Sequence, residues 1–234
     1  MSRFLFPKWS NKVLPIGVLF GLGPLGTAVV AGFWYYGTDK NFVVGYTPKQ
    51  PVPYSHKLHA GDMGMDCRYC HWSVEKGAFA AVPPIQTCMN CHGGTSASVK
   101  KDSTALEPIR QAWASNDKPV EWVQVHHLPN FVYFDHSAHL NAGVGCESCH
   151  GRVDQMQTVT QKKPLTMGWC LDCHRDPGPN LRDPKDVTKM GMLEQADQSG
   201  QPMPRPPTCA AGGKNNTPCL RKPTPPTNCS GCHR

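Results

Sequence analysis

Ten of the chain's twelve cysteines fall into five copies of one spacing, C-x-x-C followed directly by His. The copies are Cys67, Cys70, His71; Cys88, Cys91, His92; Cys146, Cys149, His150; Cys170, Cys173, His174; and Cys229, Cys232, His233. Random placement of the Cys and His would give about 0.03 copies, so the pattern carries chemistry, and that chemistry is c-type haem attachment. Two thiols add to the vinyl groups along one porphyrin edge, and the His that follows is placed under the iron as its proximal ligand. Zinc also uses paired C-x-x-C, but it has no need of a His after every second Cys. An exported chain full of free thiols would also suit zinc poorly in an oxidising compartment.

Five proximal His leave six: His56, His59, His126, His127, His136 and His139. A low-spin electron carrier needs a second protein ligand on each iron, because six-coordinate iron changes little in geometry when its charge changes and excludes small ligands. The motif spacing supplies an assignment. First Cys to first Cys runs 21, 58, 24 and 59 residues, a short-long-short-long order. Tyr54-Ser55-His56-Lys57-Leu58-His59 recurs 80 residues later as Phe134-Asp135-His136-Ser137-Ala138-His139. The chain therefore reads as a duplicated two-haem module, with the fifth motif a truncated copy that no His-x-x-His precedes.

Two His three apart share one helical face, where two porphyrins would clash, so they must serve different irons. The expected pairs are His56 with His71, His59 with His92, His136 with His150, and His139 with His174. The fifth haem would take His126 or His127 from the inter-module segment. Met156 and Met167 are the alternative distal ligands, since a thioether stabilises ferrous iron. Cys209 and Cys219 belong to no motif and are expected to form a disulfide closing a nine-residue segment.

These residues need elements to hold them. Residues 13–36 carry no charge and are long enough for one helix across a bilayer. Arg3, Lys8 and Lys12 precede the span and Trp34, Tyr35 and Tyr36 close it, which leaves residues 1–12 cytoplasmic and everything from 37 on the outer side. The segment reads as a retained anchor, with a cleaved leader as the competing reading. Pro24 should disturb the helix at mid-span. The outer part, 37–234, divides into modules 54–92 and 134–174, an inter-module segment 93–133, and a Pro-rich stretch with the fifth motif at 175–234.

With 23 Pro and 22 Gly, that outer part should have little regular secondary structure. About 40 residues per haem is too few for a conventional core, so porphyrins must form it. Trp72, Trp113, Trp122, Trp169, Phe79, Phe131 and Tyr133 should pack on them, and haem-free chain should be unfolded. The formal charge of +7 comes from scattered Lys and Arg, which excludes a nucleic-acid site. Ten propionates and five ferric haems would revise that charge to about +2, and to about −3 when reduced.

The double His-x-x-His plus C-x-x-C-H module resembles the class III multihaem cytochromes. Tyr54 to His71, Val125 to His136, Cys146 to Met156, Leu165 to His174 and the terminal motif, together with the anchor, resemble the pentahaem subunit of alternative complex III. That resemblance implies a quinol:electron acceptor oxidoreductase. The subunit would contact an iron–sulfur subunit and polytopic membrane subunits, and relay electrons to a monohaem cytochrome or soluble acceptor. It also implies mostly bis-His ligation, with one His/Met haem allowed. A nitrite-reducing pentahaem enzyme needs an open iron site, usually with Lys for the motif His, and all five motifs end in His. A self-sufficient membrane quinol dehydrogenase shares the anchor and haems but not the duplicated module.

Overall fold

The computed structural model describes residues 7–38, 43–93, 98–115, 118–201 and 223–233. The chain separates into two compact units, Met1–Val44 and Gly45–Arg234. Cys209 and Cys219 lie outside the described residues.

The first unit is one helix, α1, Ser10–Gly37, long and apolar enough to cross a membrane. It runs a few residues beyond the expected 13–36 because the flanking polar residues continue its hydrogen bonding. Its middle widens into a π-helical stretch, Val18–Leu22, where the Gly23 amide reaches back to Val18. The cause sits next to it: Pro24 has no N–H to donate, so the ladder slips by one residue and the helix continues.

The second unit contains seven short helices among the described residues: α2 (Cys67–Cys70), α3 (Ile85–His92), α4 (Glu107–Ser115), α5 (His136–Asn141), α6 (Cys146–His150), α7 (Met167–Arg175) and α8 (Met192–Ser199). A π-helical turn, Lys57–Asp62, precedes them. No β-strand occurs among the described residues; a single bridge joins Val144 to Leu181. The helices start where the sequence supplies caps. Asp66 accepts from the Arg68 amide, Thr166 from Trp169, and Asp135 from Ala138. Asn228 does the same for the 3-10 turn Cys229–Gly231 by accepting from Gly231.

Among the described residues the polypeptide makes little core of its own. One small cluster joins Val74, Leu140 and Val187, with Ala80 packed against it. Trp72, Phe79, Phe131, Tyr133 and Trp113 are all exposed, Phe79 at 81%. Side chains this apolar need an apolar partner. A flat, largely hydrocarbon cofactor is a fitting one.

What fixes the chain instead is a buried ion pair inside the third motif. Glu147 lies between Cys146 and Cys149, and Arg182 donates to it at 2.8 Å with both side chains almost fully buried. The carboxylate also accepts from the amides of Gly191 (2.6 Å) and Leu193 (2.9 Å). Gly145 and Gly143 have no side chain because a Cβ at either position would strike Arg182. Breaking one half of such a pair leaves a buried charge. Arg182→Met should therefore cost about 3–5 kcal/mol, seen as a lower denaturation midpoint of the haem-loaded protein. Adding Glu147→Leu to the same chain should recover part of the loss.

Candidate functional site

Each motif sits on a helical turn, which puts its two Cys and its His on one face. In α2, α6 and the final 3-10 turn the first Cys opens the element, while in α3 and α7 the motif occupies its second half.

The His side chains then meet in pairs. His59 faces His92 with ring centres 6.5 Å apart, His136 faces His150 at 6.5 Å, and His139 faces His174 at 6.1 Å. Two metal–nitrogen bonds of about 2 Å, plus about 1.1 Å from each nitrogen to its ring centre, require roughly 6.2 Å. The donor set therefore fits an iron between each of these pairs. His56 is next to His71. Burial pushes its pKa down to about 4, with His71 and then His59 adding to the effect. Among the described residues no three His, Cys, Asp or Glu converge as a zinc site would need. Facing pairs are the arrangement a porphyrin iron uses.

The other ring nitrogen decides whether these imidazoles can act as ligands. Seven of them place Nδ1 against a backbone carbonyl. Among motif His, His71 meets Ala81 O (2.7 Å), His92 meets Val99 O (2.8 Å), His174 meets Pro226 O (2.6 Å) and His233 meets Phe131 O (3.0 Å). Among the others, His59 meets Ser55 O (2.9 Å), His136 meets Ala78 O (2.7 Å) and His139 meets Asp135 O (2.7 Å). A carbonyl only accepts, so each Nδ1 carries the proton and each Nε2 keeps its lone pair for a metal. His56 Nδ1 is buried with no partner. His150 differs again, since its Nδ1 lies 3.3 Å from Nε2 of His126. Burial, followed by His126 and His136, pushes the His150 pKa down to about 3, which keeps the ring neutral.

The repeat seen in the sequence returns as geometry. Tyr54 stacks on His59 at 4.4 Å and meets His56 edge-on at 4.8 Å. Phe134 stacks on His139 at 4.5 Å and meets His136 edge-on at 4.7 Å. One aromatic ring thus orients both imidazoles in each copy.

The thiols show how the motifs adjoin. The Cys70 thiol is raised by burial and then by Cys88 and Cys67, so the first and second motifs are neighbours. Cys67 and Cys146 act on each other most strongly, Cys67 being lowered and Cys146 raised, which makes the first and third motifs neighbours. Burial, Cys173 and Cys170 push Cys149 up to about 12, joining the third to the fourth. Cys170 is raised by burial and then by Cys232, joining the fourth to the fifth.

Of the remaining candidates, His127 is exposed. Met156 is buried beside the first module, with its carbonyl accepting from the Lys57 amide at 2.9 Å. Met167 is 67% exposed at the start of α7. The capping residues carried a sequence signal; the carbonyl acceptors, spread over 4 to 102 positions from their His, carried none.

Paired Cys on helical turns, facing imidazoles with free Nε2 atoms and a scant apolar core define a covalent multihaem c-type cytochrome. Residues 111–233 match the class III cytochrome C family, and the chain belongs to that family. Its haem is accordingly covalently bound and of c type, and it transfers electrons. The chain is also 32% identical over 127 residues to the "Menaquinone reductase, multiheme cytochrome c subunit" of Nitratidesulfovibrio vulgaris strain Hildenborough. That alignment takes in 54% of this chain and 55% of the relative, so the chain spans about half the length of the protein it matches. The family match begins at residue 111, beyond the first module, which is linked to it by the Tyr54 and Phe134 geometry.

Because Phe134 does the work of Tyr54 without a hydroxyl, Tyr54→Phe should leave the haem absorption spectrum unchanged. Tyr54→Ala should lose about 1 kcal/mol from the ring stack and broaden the spectrum of the centres that His56 and His59 face.

Proposed function

We propose that this chain is the electron-relay subunit of a membrane quinol-oxidising complex of the alternative complex III type, carrying five c haems to an extracytoplasmic acceptor. One observation carries the proposal: neighbouring thiols link all five motifs into one series. In terms of their His, the spatial order is His92, His71, His150, His174, His233. This is not the chain order, since the first and second motifs exchange places. The arrangement sets each motif beside another, as a relay needs.

A haem, when bound, takes up and gives back one electron at its iron. The chain's own residues do the rest. Cys67, Cys70, Cys88, Cys91, Cys146, Cys149, Cys170, Cys173, Cys229 and Cys232 tether five porphyrins. His71, His92, His150, His174 and His233 bind from the motif side. His56, His59, His136 and His139 bind from the other side and keep small molecules off the iron, which favours a relay over an enzyme with an open site. His127 completes the fifth centre, because the Nε2 of His126 is already occupied by His150. Met156 is then a packing residue, and Met167 is not called on as a ligand.

The apolar helix Ser10–Gly37 supports a single-pass anchor, with its N-terminus cytoplasmic and the haem unit on the outer side. The relative's role in a menaquinone reductase complex supports membrane partners that handle quinone. We assign these as polytopic quinol-oxidising subunits and an iron–sulfur subunit, with a monohaem cytochrome or soluble protein as acceptor. A series of closely spaced haems conducts both ways, so direction follows the potentials of the partners. Two electrons leave each quinol together with two protons, and this chain takes the electrons singly.

Two measurements test the reading. Mass spectrometry of the purified chain should count five haems, and carbon monoxide should bind none of the ferrous centres. His59→Ala should open one site, giving one carbon monoxide per chain. In membranes holding the whole complex, added quinol should reduce the haems. The isolated chain should not oxidise quinol, and quinol oxidation by it alone would favour the self-sufficient dehydrogenase.

A further inference from the structure

Seven imidazoles anchor Nδ1 on a peptide carbonyl; His150 anchors it on another imidazole. Nε2 of His126 lies 3.3 Å from Nδ1 of His150, and the two rings meet edge to face at 81° with centres 4.4 Å apart. On the opposite side, the ring of His150 faces His136, parallel within 8° and 6.5 Å away. His126 therefore touches the nitrogen that points away from the metal position. We infer that His126 is a positioning residue that accepts the Nδ1 proton of His150 and so sets the potential of the third centre.

The chemistry follows from the acceptor. A ligating imidazole that gives its second N–H to a base becomes a stronger electron donor to the metal. A neutral imidazole nitrogen is a stronger base than a peptide carbonyl, so His150 is pushed further toward the anion than His71, His92, His174 or His233. Extra donation stabilises ferric iron and lowers the midpoint potential. His126 is held for this role: it is half-buried, and its own carbonyl accepts from Gln124 at 2.8 Å. The third motif is also the middle of the spatial series, where a low potential would shape passage from one half to the other.

The inference rests on His150 ligating a haem, and that premise has its own check: unmutated protein must show five low-spin centres. The test is a redox titration of the full-length protein, following absorbance and electron paramagnetic resonance. His126→Leu removes the acceptor, so one midpoint should move upward while the other four stay and every centre remains low-spin. His126→Gln presents an amide oxygen to the same N–H and should return that midpoint most of the way. Unchanged midpoints in His126→Leu would overturn the inference. A new high-spin, carbon monoxide-binding centre would also overturn it, because His126 would then be a distal ligand. If neither variant assembles, the unmutated protein decides: in deuterated water the His150 Nδ1 proton should exchange slowly by nuclear magnetic resonance. Its absence or rapid exchange would refute the hydrogen bond.

Discussion

The Nδ1–H hydrogen bond is the interaction on which the haem unit depends. An imidazole binds a metal only through an unprotonated nitrogen, and its proton has to reside somewhere. In this chain it resides on Nδ1 because a backbone carbonyl waits there in seven cases. Those carbonyls come from segments without regular structure, such as Ala78, Ala81, Val99 and Pro226. The irregular loops, which look like connecting material, are thus the elements that aim the rings. The high Pro and Gly content follows, since loops that must present a carbonyl at one point cannot also run as helix or strand.

The same economy explains the scarcity of ordinary core. Val74, Leu140 and Val187 form one small cluster, and many aromatic side chains face outward from the polypeptide. A covalently tethered porphyrin is the partner that such surfaces suit. A buried charge pair, Glu147 with Arg182, is placed within the third motif. There it ties α6 to the segment 181–193, and two glycines give up their side chains to admit it. A buried charge pair tolerates few alternative packings, so its worth is in holding one arrangement at the centre of the series rather than in net stability.

Duplication with divergence accounts for the differences between modules. Tyr54 and Phe134 orient their two imidazoles in nearly the same way, yet His136 reaches Ala78 while His56 has a buried, unpartnered Nδ1. The second copy borrows a carbonyl from the first.

Much of this could be read from the residues in order. The motif spacing follows from covalent chemistry, where two thiols and a His must reach one porphyrin, so a local pattern suffices. The His-x-x-His spacing led to the expectation of His59 with His92, and the 80-residue repeat to that of His136 with His150 and His139 with His174; the ring centres of these pairs lie 6.1 to 6.5 Å apart. The long apolar helix was legible from its lack of charge, and the caps at Asp66, Asp135, Thr166 and Asn228 from their type. Three things were not legible: which carbonyl meets each Nδ1, that Cys67 and Cys146 adjoin and so put the second motif at one end, and that His126 rather than His127 meets His150. Each is a contact between segments far apart in the chain. Nothing in a residue's immediate neighbours encodes such a contact, and only the folded path of the loops between them decides it.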